Sequence, residues 1–118
     1  MGLDMYLSNK NNEEVMYWRK ANQIRGWLVE HKIIQDDDNC VDRLVTVDDL
    51  QNLLDDCKKI LEDHSLAESL MPTTSGFFFG GTQYDEWYFE DLNKTVEKLQ
   101  PIVDAAKEDD HFIYSDWW

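Results

Sequence analysis

The chain is poor in cysteine and has no long apolar run, and both absences restrict where it can function. Only two cysteines occur among its 118 residues, Cys40 and Cys57. No apolar stretch approaches the roughly 18 residues needed to cross a membrane. The first residues also lack the basic region and apolar run of a secretory signal. We therefore expect a cytoplasmic protein with reduced thiols and no membrane contact, in which Cys57 is a core residue.

Sequence motifs for catalysis and metal binding are also missing. There is no Gly-rich phosphate loop, no Gly-x-Ser-x-Gly nucleophile elbow and no dinucleotide fingerprint. The three histidines lie far apart and share no ligand spacing with either cysteine. Asp36 and Asp38 resemble the start of a calcium loop, but Cys40 occupies the next ligand position. We expect no metal, no cofactor and no enzymatic activity, with a small hydrolase or transferase as the alternative.

Basic residues are scarce relative to acidic ones, and the imbalance is uneven along the chain. The sequence has 11 Lys and Arg against 25 Asp and Glu, a net charge of −14. Residues 36–118 hold 21 of the acidic residues and only six of the basic ones. A field of this sign repels phosphate backbones, so direct nucleic-acid binding is not expected. It favours encounter with basic protein surfaces. The alternative is that the charge serves solubility alone.

The sequence does contain the hydrophobic patterning of one folded domain, over residues 1–118. Hydrophobic residues make up 42% of the chain, which is enough material for a core. Alternating apolar residues predict three short strands, at residues 3–7, 43–47 and 111–118. Helical periodicity predicts three main helices, at residues 13–31, at residues 47–62 and from about residue 85. The predicted fold is α+β, with the three helices packed on a small, mainly antiparallel sheet formed by the N-terminal and C-terminal strands.

Local signals predict how the helices begin and where one is interrupted. Asn11 or Asn12 is expected to cap the first helix. Thr46 is expected to cap the second, with Asp49 completing a box-like arrangement. Pro101 should kink or divide the third helix, because proline lacks the backbone N–H that a helix interior needs.

Two aromatic segments carry predictions about burial. In the tail, alternation predicts that Ile113 and Trp117 face the core, whereas Trp118 is exposed. The three phenylalanines at residues 77–79, which are bounded by glycines, are predicted to form a short buried strand or an ordered loop.

Two segments also contain more polar and aromatic side chains than packing requires, and they predict a small-ligand site. Hydroxyls and backbone N–H groups of a Gly-containing turn can hold an anion. An aromatic face and a guanidinium can hold a base. The candidate ligand residues are Arg19, Lys20, Asn22, Arg25, Thr74, Ser75 and Trp87. The alternative is that the cations pair with nearby carboxylates, Asn22 caps a loop and the aromatic residues pack.

Four segments resemble a family of small, uncharacterised bacteriophage and prophage proteins. They are MGLDMYL (residues 1–7), YWRKAN (residues 17–22), SGFFFG (residues 75–80) and YDEWY (residues 84–88). The resemblance spans most of the chain and supplies no catalytic residues. It implies an accessory protein of a mobile element, acting in the host cytoplasm. By analogy, small acidic phage proteins often bind and block host machinery, including CRISPR nucleases, sometimes by imitating nucleic-acid charge.

The resemblance and the charge together predict a partner: a host protein with a basic surface, most specifically a CRISPR-type defence nuclease. Carboxylates of the second and third helices would stand in for phosphates, with Trp118 as a further contact. These carboxylates are Asp48, Asp49, Asp55, Asp56, Asp85, Glu86, Glu90, Asp91 and Glu97. The alternative function is sequestration of a nucleotide-like anion through Arg19, Lys20 and the loop at residues 73–81.

Overall fold

The computed structural model describes residues 2–75 and 80–118, which form an α+β fold. In chain order the elements are β1 (Asp4–Asn9), β2 (Glu14–Arg19), α1 (Asn22–Glu30), β3 (Arg43–Thr46), α2 (Val47–Glu62), a 3-10 turn (His64–Leu66), α3 (Ala67–Leu70), α4 (Glu86–Ala105) and β4 (His111–Trp117). The predicted α+β class is confirmed, and α1, α2 and α4 are the three main helices. The prediction for the phenylalanines at residues 77–79 lies outside the described residues.

The four strands form one antiparallel sheet in the order β2-β1-β4-β3. The central strands β1 and β4 pair from Asp4 opposite Trp117 to Asn9 opposite Phe112. The predicted pairing of the N-terminal strand with the tail is therefore confirmed. One face of the sheet is buried with the helices in a common core, to which the strands contribute Met5, Leu7, Met16, Trp18, Val45, Phe112 and Tyr114.

The first predicted helix is wrong at its start, because residues 14–19 form β2 and the helix begins only at Asn22. The predicted caps Asn11 and Asn12 lie instead in the turn between β1 and β2. There the Asn9 carboxamide oxygen accepts hydrogen bonds from two backbone N–H groups of the turn, and Asn12 adopts a left-handed φ of 64°. Pairing with β1 outweighs the helical spacing of the apolar residues in this segment.

The second helix, α2, begins and ends where the sequence predicts. The Thr46 hydroxyl accepts the Asp49 backbone N–H at 3.0 Å, and the Asp49 carboxylate accepts the Thr46 N–H at 3.1 Å. Two backbone donors that would otherwise lack partners are thus satisfied at the helix start. Cys57 is fully buried on the apolar side of the helix, as predicted, and this burial raises the pKa of its thiol.

The last helix, α4, begins after Asp85, as predicted. The Asp85 carboxylate accepts hydrogen bonds from the backbone N–H groups of Trp87 and Tyr88. Pro101 lies inside the helix, which continues to Ala105, so it does not divide there. The indole N–H of Trp18 donates to the Thr95 hydroxyl at 2.8 Å in the core, which ties α4 to β2. Within the described residues, no helix has the length and apolar character of a membrane span.

The buried face of β4 is the opposite of the predicted one. Its inward residues are Phe112, Tyr114 and Asp116. Ile113 is only half-buried and Trp117 is 64% exposed, whereas both were predicted to face the core. Trp118, predicted to be exposed, is partly buried and packs against the core. The cause is Asp116, whose carboxylate faces inward and accepts a hydrogen bond from Arg25 Nε at 2.8 Å. Sequence patterning places apolar residues in the core and charged residues at the surface, so it wrongly assigns the Asp116 carboxylate to the outer face.

Candidate functional site

A cleft of about 540 Å³ lies between the β2–α1 junction, the segment after residue 80 and the first turns of α4. Four of the seven predicted ligand residues line it: Arg19, Lys20, Asn22 and Trp87. Thr74 and Ser75 do not line it, although their neighbour Thr73 does. The predicted clustering of the basic segment with the start of α4 is thus present in the fold.

Lys20 occupies the junction between β2 and α1 in a left-handed conformation, with φ 57°. Its backbone N–H donates to the Leu3 carbonyl oxygen at 2.7 Å, which holds this bend against β1. Gly80 passes close by with φ +89°, and a Cβ placed on it would lie 3.0 Å from the Lys20 Cβ. Glycine is therefore required at position 80 both for its backbone conformation and for this close approach.

Asn22 holds the two chain segments that flank residues 76–79. Its side-chain amide donates to the Gly81 carbonyl oxygen at 2.8 Å, and its side-chain oxygen accepts the Thr74 N–H at 2.9 Å. The Thr74 hydroxyl donates to the Asn22 carbonyl oxygen at 3.1 Å. Asn22 and Thr74 therefore have structural roles, which agrees with the alternative that Asn22 caps a loop. Ser75 is exposed.

The other predicted ligand residues of the cleft differ in their exposure and in their ion pairs with nearby carboxylates. Arg19 Nη1 lies 3.2 Å from the Asp4 carboxylate, and its side chain is 57% exposed. Trp87 is 71% exposed at the start of α4. Across residues 2–75 and 80–118, Lys20 has no carboxylate within ion-pair distance of its ammonium group. Lys20 is thus the cation in the cleft whose charge is least compensated.

Two carboxylates also line the cleft, and both already make internal hydrogen bonds. Asp85 caps α4 through its contacts with backbone N–H groups. Asp91 accepts a hydrogen bond from Gln23 Nε2 at 3.2 Å, and burial raises the pKa of its carboxyl group. Asp91 was predicted as a protein contact, but it is a cleft residue. The spacing of Trp87 and Asp91, one helical turn apart on the same side of α4, could have indicated this.

Arg25, the seventh predicted ligand residue, does not reach the cleft, and that prediction is wrong. Its side chain is 2% exposed and pairs with Asp116, which is 1% exposed. The Arg25 guanidinium also donates to the carbonyl oxygens of Asp36 and Asp38, at 2.9 and 3.0 Å. The Tyr114 hydroxyl donates to the same Asp116 carboxylate at 2.7 Å. Arg25 is thus the centre of a buried structural network, and sequence reasoning missed Asp116 because 91 residues separate the pair.

The nine carboxylates predicted to imitate phosphates divide into two groups. Four have internal roles: Asp49 and Asp85 cap helices, Asp91 bonds Gln23, and Asp56 accepts the Trp27 indole N–H at 2.8 Å. The other five, on the solvent sides of α2 and α4, are exposed: Asp48, Asp55, Glu86, Glu90 and Glu97. Within this second group, Asp55 accepts a hydrogen bond from Gln51 Nε2 at 2.8 Å, and the other four carboxylates accept none from the described residues.

The acidic turn at residues 36–38 is held by internal ion pairs. The Asp38 carboxylate accepts two hydrogen bonds from the Arg43 guanidinium, at 2.7 and 2.8 Å. This guanidinium lowers the pKa of Asp38 to about 2. In the part of the chain that the structure describes, no group of three or more His, Cys, Asp or Glu side chains is arranged to hold a metal ion.

Comparisons of the chain with protein-family models, with curated proteins and with solved structures find no match.

Proposed function

We propose that the protein is a non-enzymatic binding protein that occupies a basic surface on another protein. The supporting observation is uncompensated charge on α2 and α4. Of the five exposed carboxylates predicted to contact a partner, only Glu90 has a cation within ion-pair distance in the described chain, Lys94 at 3.9 Å. Exposed pairs of this kind contribute little, so the negative field of these helices remains available to a partner.

The spacing of these carboxylates supports imitation of nucleic-acid charge. Glu86, Glu90 and Glu97 lie along one side of α4, because four- and seven-residue steps return to the same helical side. The axial distances are about 6 Å and about 10.5 Å at 1.5 Å per residue. Phosphates of one DNA strand recur at about 3.4 Å along the axis, so these steps approximate two and three phosphates. Asp48 and Asp55 on α2 repeat the seven-residue step.

The resemblance to phage proteins directs the choice of partner. A defence nuclease of the CRISPR type holds its guide and target strands in a positively charged channel. An acidic helix surface in that channel would exclude the nucleic acid by competition. We therefore take such a nuclease, in the host cytoplasm, as the first partner to test.

The test measures competition with DNA for a purified guide-loaded nuclease. One variant combines Glu86→Gln, Glu90→Gln and Glu97→Gln. Its control removes equal charge elsewhere, through the exposed residues Glu13→Gln, Glu68→Gln and Glu108→Gln. The α4 variant should lose competition and the control should retain it. Competition by the wild type should weaken between low and high salt. Equal losses in both variants, or inhibition that is insensitive to salt, would contradict charge imitation.

The cleft supports a second candidate function, sequestration of a small anionic ligand with an aromatic base. Its supporting observation is the uncompensated ammonium group of Lys20 in the same cleft as the exposed Trp87. Calorimetry with a panel of nucleotides should detect binding that is lost in Lys20→Asn, since asparagine tolerates a left-handed backbone. Lys32→Asn is the matched control, because Lys32 is also exposed and left-handed, with φ 61°. If no nucleotide in the panel binds to the wild type, this function is excluded for that class of ligand.

A further inference from the structure

The outer face of the sheet is not covered by the helices. In the described strands, alternate residues point to this face, apart from one register shift at the start of β2, and none of these outward residues is buried. Leu44 is 60% exposed, Trp117 64% and Tyr17 41%. Tyr6 and Ile113 are half-buried beside them. We name these five residues, Tyr6, Tyr17, Leu44, Ile113 and Trp117, the open sheet face.

Strand register brings these side chains next to one another. Tyr6 on β1 lies opposite Tyr17 on β2, with ring centroids 5.4 Å apart. Ile113 on β4 lies opposite Leu44 on β3. Trp117 on β4 lies opposite Asp4, two residues from Tyr6 on the same side of β1. Large apolar groups thus occur on all four strands.

Exposure of these large apolar side chains to water is unfavourable, and the solvated face of a sheet normally avoids it. Antiparallel sheets with one wet side place polar residues there. A contiguous apolar patch on a soluble protein is typical of an interaction site. Trp and Tyr are also the residues that most often dominate binding energy at protein interfaces. The open sheet face therefore has the composition of a docking surface.

Charge restricts the occupant of this surface. The chain has a net charge of −14, which opposes both a second copy and a nucleic acid. Asp4 and Glu14 lie on the same side of the sheet, because they are opposite Arg19 and Ser8 in the strand register, which shifts beside Ser8. Asp4 is paired there with Arg19 at 3.2 Å, so Glu14 is the carboxylate of this face that has no cation within ion-pair distance among the described residues. An aromatic face flanked by negative charge attracts cations, and guanidinium groups stack on it better than ammonium groups do.

We propose that the open sheet face docks an arginine-rich segment of a protein, with guanidinium groups stacked on Trp117 and Tyr17. This inference rests on the proposed binding of a basic partner and adds where that partner is anchored. The helix carboxylates would occupy the partner's basic surface, and the open sheet face would hold an arginine-rich segment of the same partner.

The experiment titrates the protein with a nine-residue polyarginine peptide and with a nine-residue polylysine peptide, followed by calorimetry at physiological salt. The wild type should bind polyarginine more tightly than polylysine. Trp117→Thr and Leu44→Thr should each weaken polyarginine binding, Trp117→Thr by about 3- to 10-fold. Val41→Thr is the control, since this apolar residue is 38% exposed and lies outside the strands, and it should leave binding unchanged. Unchanged melting temperatures establish that each variant is folded.

The other outcomes separate this inference from the proposed function. Equal affinity for both peptides, unaffected by Trp117→Thr, would overturn the docking surface while leaving a charge-based binder intact. Failure to bind either peptide, even at low salt, would remove the proposed function as well. Sedimentation that shows a wild-type dimer, lost in Trp117→Thr, would assign the face to a second copy instead. Binding of single-stranded DNA that depends on Trp117 would overturn the inference in favour of a nucleic acid.

Discussion

Removal of one partner from the buried Arg25–Asp116 pair should destabilise the fold severely. The change is Asp116→Asn, which keeps the shape of the side chain and removes its charge. The two side chains are 2% and 1% exposed, so the Arg25 charge would lose this buried counter-ion, whereas the Asp36 carboxylate, 3.7 Å from Arg25 Nη1, is 91% exposed. The carbonyl oxygens of Asp36 and Asp38 would still accept hydrogen bonds from Arg25, but they carry no formal charge.

The expected loss is about 3–5 kcal/mol of unfolding free energy, as measured when buried pairs lose one member. A domain of 118 residues has an unfolding entropy of about 250 cal/mol/K, so the melting temperature should fall by about 12 °C or more. Arg25→Met should have an effect of similar size, because it leaves a buried carboxylate unpaired. The double variant, Arg25→Met with Asp116→Asn, should cost less than the sum of the two single changes by about 2 kcal/mol.

The assay is urea unfolding followed by tryptophan fluorescence, with the free energy extrapolated to water for each variant. Arg19→Met is the control, since it removes an ion pair with Asp4 whose members are 57% and 25% exposed. That change should cost less than about 1 kcal/mol. The reasoning is refuted if Asp116→Asn costs no more than Arg19→Met, or if the effects of the two changes at the buried pair simply add.

Three further predictions concern single sites. A thiol reagent applied to the folded protein should modify Cys40, which is exposed, and spare Cys57, which is buried with a raised thiol pKa; modification of both before unfolding would contradict this burial. Thr46→Ala should lower the unfolding free energy by about 1 kcal/mol, because α2 loses its reciprocal cap; an unchanged urea midpoint would contradict it. Arg43 lowers the pKa of Asp38 to about 2, below the unfolded value of about 3.9. The pair therefore stabilises the fold above about pH 4, and this contribution is lost as the pH falls through about 2. Asp38→Asn should remove that part of the acid dependence, and an unchanged pH profile would count against the ion pair.

The elements that the sequence predicts correctly depend on local signals. Thr46 and the apolar spacing of α2 lie within one segment, and so do Asp85 and α4. The prediction of a helix at residues 14–19 was wrong because their side chains fit both a helical and an alternating pattern. Only pairing with β1 decides between the two patterns. The cleft was predicted only in part for a similar reason. Each of the two segments that line it is short and can be identified in the sequence, whereas the contact between the two segments depends on the fold.

The inner surface of β4 shows a different limit. Asp116 faces inward because Arg25 is buried there. The residues around Asp116 give no indication of Arg25, and those around Arg25 give none of Asp116. An error about one charged residue reversed the assignment of the whole strand, since alternate residues on a strand change sides together. The exposed Trp117, which carries the proposed docking surface, was consequently predicted to lie inside.

The strand order also has a consequence for how the chain can fold. The two central strands lie about 100 residues apart in sequence, at Asp4–Asn9 and His111–Trp117. The strand partner of β3 is β4. During synthesis, β3 therefore has no strand to pair with until residue 111 has been made. Contacts of such long sequence separation slow folding, because a large loop must close before they form. The β1–β2 hairpin and α2 can form earlier, as local units. A chain cut before residue 111 would therefore lack β4, and β3 would have no strand to join it to the β1–β2 hairpin.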